Sequence, residues 1–104
     1  MRDLPIPMRL KEARLRSGIT QEALGVKAGI DEYSASARMN QYEKGIHLPN
    51  YELLERCAVV LDVPVEYFYA RSEETAFLLL KHHKMDAGQR QELLKHLERI
   101  ACTS

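Results

Sequence analysis

With 104 residues, the chain has room for one domain with a modest core. Its 45% hydrophobic and 29% charged residues give an ordinary globular composition. The 15 Lys and Arg balance 15 Asp and Glu, which excludes a chain that coats polyanions by bulk charge alone. No apolar run is long enough to span a bilayer, so no membrane association is expected. The stretch MRDLPIPMRLKEARLR lacks the apolar core of a signal peptide. Two cysteines, Cys57 and Cys102, do not make a disulfide framework. A cytoplasmic location is expected.

In chain order, residues 1–6 read as a loose arm. A first helix is predicted from Pro7 to Ser17, with proline at a helix start where it is tolerated, ending at Gly18. Leu10, Ala13 and Arg14 are expected to face inward, and Arg9, Lys11 and Arg16 to face water. Thr20 is an N-cap for a short second helix with Gln21 and Glu22 in its first turn. Leu24 and Ala28, four apart, share a face of it. Gly25, inside that helix, costs about 1 kcal/mol against alanine, which predicts a second helix crossing very close by. Gly29 can take a left-handed conformation and turn the chain. Ile30 then points back to the core, and Asp31 caps a third helix. There Ala35, Met39 and Tyr42 stand at i, i+4 and i+7 and form one apolar stripe. The opposite face carries Ser34, Ala37, Gln41 and Lys44, flanked by Arg38 and Asn40. It suits presentation to something polar.

Residues 46–50 form a loop. Asn50 caps a fourth helix, YELLERCAVVL, whose buried stripe is Leu53, Leu54, Cys57, Ala58 and Leu61, with Cys57 a small core residue. Asp62-Val63-Pro64 stops it. A short fifth helix, PVEYFY, closes the core with Val65 and Phe68. Tyr67 and Tyr69 read as helix-end packing rather than a stacking platform. Ser72 caps a helix from Glu73 to about His83. Asp86 and Gln89 form a capping pair for a last helix, Ala87 to Ala101. Leu93, Leu94, Leu97 and Ile100 line its apolar side. His82, His83, His96 and Cys102 fit no metal-ligand spacing, so neither a metal nor a cofactor is expected. There is no glycine-rich phosphate loop, nucleophile elbow or paired-acid motif. No catalytic residue is therefore assigned, and the protein is not expected to be an enzyme.

Several pieces fall in order: Arg14 before Gly18-Ile19-Thr20-Gln21, then Leu24 and Gly29, Met39-Asn40-x-x-Glu43-x-Gly45, Pro49, and Leu54-x-x-Cys57-Ala58-x-x-Leu61-x-Val63. On these pieces residues 9–69, about 60% of the chain, resemble the phage repressor and Cro family of helix-turn-helix regulators, the xenobiotic-response-element type. The resemblance implies an all-α fold: a five-helix lambda-repressor-like DNA-binding domain over residues 1–71. Two extra C-terminal helices over residues 72–104 form an extension expected to serve dimerisation. It also implies an Arg14–Glu43 ion pair beneath the DNA-binding surface. The chain departs from the family by about four extra residues within Asp31–Ser34. Four residues turn a helix by about 400°, so the insertion can lengthen the third helix without moving Met39 off the core.

The resemblance makes DNA readout the expected function, as a transcriptional regulator, in particular a repressor bound as a homodimer to an inverted repeat in double-stranded DNA. Gln41 can pair with adenine and Arg38 with guanine, while Ser34, Ser36 and Ala37 face base edges or a thymine methyl. Gln21, Tyr33, Asn40, Lys44 and His47 are expected at phosphates. Asp31 and Glu32 serve as caps, or accept from cytosine and repel wrong sites. Phe77, Leu80, Leu93, Leu97 and Ile100 are the expected dimer interface. Residues 1–49 hold eight Lys/Arg against six Asp/Glu, and residues 50–104 seven against nine. This small bias predicts modest, salt-sensitive affinity. Two other readings stand beside this one: an antitoxin whose C-terminal helices bind a toxin or another regulator, and an interaction module that has lost DNA binding.

Overall fold

The computed structural model describes residues 4–102, and these are helical with no strand among them. The α-helices are α1 Ile6–Ser17, α2 Gln21–Lys27, α3 Glu32–Glu43, α4 Tyr51–Leu61, α5 Glu73–Lys84 and α6 Ala87–Ile100. A 3₁₀ helix, Val65–Tyr69, stands between α4 and α5 in place of the expected fifth α-helix. The all-α fold class expected from the sequence is the one observed. No helix among the described residues is long and apolar enough to cross a membrane.

Side-chain caps set where α2 to α6 begin. Thr20 Oγ1 accepts from the Ala23 N–H at 3.0 Å, Asn50 Oδ1 from Leu53 at 2.8 Å, and Ser72 Oγ from Thr75 at 3.0 Å. Asp86 and Gln89 form a reciprocal capping box. Each cap satisfies a backbone donor that the helix start leaves unpaired.

The core gathers one stripe from each of the first four helices. It includes Ile6, Leu10 and Ala13, Leu24 and Ala28, Ala35 and Met39, and Leu53, Leu54, Cys57 and Leu61. Tyr67 and Phe68 of the 3₁₀ helix and Ala76 of α5 complete it. Burial pushes the Cys57 thiol up to about 12, as befits an inert core residue.

Two expectations for the N-terminal region need correction. Residues 1–3 of the expected arm lie outside the described residues, but Pro5 and Ile6 are buried rather than loose. Helix α1 starts at Ile6, because this side chain fills the core one turn before Leu10. Arg9 does not face water: it is fully buried. It shares the face of Ile6, Leu10 and Ala13, and it finds partners for its donors there. Nε donates to the Ala70 carbonyl at 3.0 Å and Nη2 to the Ser72 carbonyl at 3.1 Å. Nη1 donates to Glu12 at 3.0 Å and Glu73 at 3.3 Å. The Tyr67 hydroxyl donates to Glu12 and accepts from Arg16 Nη2 at 3.2 Å. Burial opposes the Arg9 charge, but the bonds to and charges of Glu12 and Glu73 outweigh it, and its pKa is raised. This cluster fastens α1 to the 3₁₀ helix and to the start of α5.

The C-terminal helices project. Asp62 receives His83 Nε2 at 3.1 Å and Lys84, which holds the end of α5 beside the end of α4. Arg90 donates to the carbonyls of His82 and His83 and fixes the turn between α5 and α6. Helix α6 buries no residue. The radius of gyration is 15.8 Å, against about 13 Å for a compact chain of this length.

Candidate nucleic-acid interface

Helices α2 and α3 pack at very close range. A Cβ on Gly25 would lie 2.8 Å from the Ala35 Cβ and 3.1 Å from its backbone, so glycine is required by the neighbouring helix and its propensity cost is offset by contact. Gly29, at φ +96°, reverses the chain where most side chains would be strained. The Ile30 N–H then returns to the Gly25 carbonyl at 2.8 Å, and Arg56 of α4 donates to the Ala28 carbonyl at 2.6 Å. The orientation of α3 is thus locked through its contact with α2 and through the anchoring of α2 on α4.

A polar chain reinforces this arrangement. Arg14 Nε donates to Glu43 Oε2 at 2.6 Å and Nη2 to Oε1 at 3.0 Å. The remaining Arg14 nitrogen, Nη1, donates to the Ile19 carbonyl at 3.0 Å, fixing the approach to α2. Gln21 Nε2 then donates to Glu43 Oε1 at 3.0 Å and to Asn40 Oδ1 at 3.2 Å. Both hydrogens of the Gln21 amide are therefore directed inward. The Asn40 amide oxygen is held by Gln21. Glu43 is buried, and an uncompensated carboxylate there would be costly.

The Asp31–Ser34 region forms the cap and start of α3. Asp31 Oδ2 accepts from the Tyr33 N–H at 3.0 Å as N-cap. Ala35 and Met39 are fully buried behind this turn. At about 100° per residue, Tyr33, Ala37, Gln41 and Lys44 lie within about 45° of the direction opposite the buried stripe. Ser36 and Arg38 stand nearer the edges. Of the sequence-assigned contacts, Tyr33, Ser36, Ala37, Arg38, Lys44 and His47 are exposed, and Gln21, Ser34, Asn40 and Gln41 are half-buried. Arg38 is not extended from the face. Its Nη2 donates to the Tyr42 hydroxyl at 2.7 Å, and the guanidinium lies 5.8 Å from that ring.

The residues assigned to a dimer contact lie on α5 and α6. Phe77, Leu97 and Ile100 are exposed, while Leu80 and Leu93 are half-buried. Leu78 and Leu94 are also more than half exposed. Sequence reasoning missed the Arg9 cluster. The available signal was spacing, since Ile6, Arg9, Leu10 and Ala13 repeat at i, i+3, i+4 and i+7.

A helix-turn-helix domain family matches residues 8–67 of the chain. Among solved structures, the crystal structure of transcriptional regulator BswR is similar, with a TM-score of 0.87 and 43% sequence identity. The match covers 95% of this chain and 99% of that one. No curated protein matches the chain. The family match takes in more than half of the sequence, including the close-packed α2–α3 pair and both partners of the Arg14–Glu43 bond; the chain belongs to the helix-turn-helix domain family.

Proposed function

We propose that the protein is a sequence-specific DNA-binding transcriptional regulator of the repressor and Cro type, acting as a homodimer that occupies an inverted repeat. The observation that carries this reading is the α2–α3 unit, a rigid pair whose outer helix presents Tyr33, Ala37, Gln41 and Lys44 on one face. Such a helix fits the major groove, where base edges offer distinguishable donors, acceptors and methyl groups. Gln41 and Arg38, with Ser34, Ser36 and Ala37, read bases. Asn40, Lys44 and His47 meet phosphates beside them, and Gln21 positions Asn40 in addition to presenting its helix N-terminus.

One recognition helix reads only a few base pairs, so two copies are needed to select a site. The exposed apolar side of α6, with Phe77 and Leu80 of α5, supplies the contact between them. Occupation of a promoter then represses transcription. The exposed α6 stripe also favours a second reading, in which it binds a different protein such as a toxin.

The test is selection of bound sites from random duplex DNA, followed by a salt titration. The expected result is a palindromic site with two half-sites about 34–36 Å apart and steep loss of affinity with salt. Failure to enrich any sequence, with no salt-dependent binding, refutes the DNA reading.

A further inference from the structure

We propose that Tyr33 is a base-reading residue, its ring packing on a thymine 5-methyl group in the major groove, with Ala37 one turn along reading a second methyl. The proposal rests on the DNA reading above and departs from the expectation that Tyr33 meets a phosphate. Tyr33 is 97% exposed. An aromatic ring left wholly in water on a well-ordered helix gains nothing for the fold, whereas methyl and ring surfaces attract in water.

The backbone that carries the ring is held in place. The Asp31 cap fixes the Tyr33 backbone at 3.0 Å, so the side chain leaves from a rigid turn. With Ala37 it makes an apolar strip on a face whose neighbours, Gln41 and Lys44, are polar. Four residues of helix advance about 6 Å, close to two base steps of about 3.4 Å. Where the helix follows the groove, the two side chains meet pairs about two steps apart.

The charges on this turn favour bases over phosphates. Asp31 and Glu32 precede Tyr33 and are both exposed. Neither is in an ion pair with a cation among the described residues. Two carboxylates are repelled by the phosphate backbone, but are compatible with base edges that donate, such as the cytosine amino group. This turn therefore belongs over the groove floor.

The test uses the full chain and its selected operator. Each thymine is replaced in turn by deoxyuridine, which removes only the 5-methyl group. Wild type is expected to lose about fourfold in affinity at the contacted position, the worth of one buried methyl. Tyr33→Ala should lose its response at that position alone, and Tyr33→Phe should keep it, because the ring and not the hydroxyl makes the contact. If Tyr33→Ala and Tyr33→Phe weaken binding to all operators equally and leave every deoxyuridine response intact, Tyr33 touches a phosphate and the proposal is overturned. If wild type selects no sequence at all, it is the DNA reading itself that fails.

Discussion

Arg14 and Glu43 are joined by two parallel hydrogen bonds, Nε to Oε2 at 2.6 Å and Nη2 to Oε1 at 3.0 Å, which fasten α1 to the end of α3. The Glu43 side chain is 2% exposed and that of Arg14 11%, so water cannot replace a lost partner. Glu43→Ala strands the guanidinium and also removes an acceptor of Gln21. The expected cost is roughly 3–5 kcal/mol, which lowers the melting temperature by more than about 10 °C. Calorimetry checks it, and an unchanged melting temperature would show that the pair contributes nothing net.

Gly25→Ala sets two effects against each other. Alanine gains about 1 kcal/mol of helix propensity, but its Cβ would stand 2.8 Å from that of Ala35. Forcing apart two close helices costs about 1–3 kcal/mol. The net expectation is destabilisation, relieved in the Gly25→Ala, Ala35→Gly double variant. Urea unfolding of Gly25→Ala, Ala35→Gly and the double variant decides this; losses that simply add in the double variant would refute the steric explanation.

Changes on the outer face of α3 should separate base readers from phosphate contacts. Gln41→Ala is expected to relax preference at one base position by about 1–3 kcal/mol. Lys44→Ala should weaken binding to all sequences alike and reduce the salt slope by about 1. Selections on randomised operators distinguish the two, and an unchanged sequence preference for Gln41→Ala removes it from the readout.

The end of the chain gives a test of assembly. A cut after Arg71 would take away Ser72 and Glu73, which Arg9 binds, and core residue Ala76. A cut after Met85 removes α6, which buries no residue. That shorter chain is expected to melt as the full one does when both are monomeric, to stay monomeric, and to bind operator far more weakly. Light scattering measures it. A dimer that survives the cut would place the contact elsewhere and leave α6 for another protein.

Acid should loosen the Arg9 cluster. Burial disfavours the Glu12 charge, but the hydrogen bonds from Tyr67 and Arg9 and the nearby positive charge outweigh it, and its pKa is lowered from 4.5. A lowered carboxylate pKa stabilises the fold fully above the ordinary value, and that contribution is lost as pH falls through the lower, folded value. Wild type should therefore lose stability below about pH 4.5 more steeply than Glu12→Gln. Parallel melting-versus-pH curves would show that Glu12 is not part of the response.

How much could be read beforehand follows from the range of each interaction. Caps at Thr20, Asp31, Asn50, Ser72 and Asp86 act over two or three residues, so the sequence by itself determined where α2 to α6 begin, whereas α1, which has no side-chain cap, starts where Ile6 meets the core. The stripes of α2, α3 and α4 follow from helical period, and Gly25 announced a close crossing because no local preference favours glycine there. What tertiary structure alone decided are the partners brought from far along the chain. Arg9 reads locally as a charged surface residue, yet beside Glu12 its acceptors Ala70, Ser72 and Glu73 stand 61 to 64 residues away, and only the packed 3₁₀ helix and the start of α5 deliver them. The inward turn of both Gln21 amide hydrogens required Asn40 and Glu43 to be placed beside it by the α2–α3 crossing. The hold of Tyr42 on Arg38 was within reach of helical spacing, since the two are four apart, but rotamer choice on a crowded surface depends on neighbours that spacing does not name. The projection of α6 has the same origin: its apolar stripe was evident, and that Leu94, Leu97 and Ile100 stay exposed became apparent only once the core had closed without them.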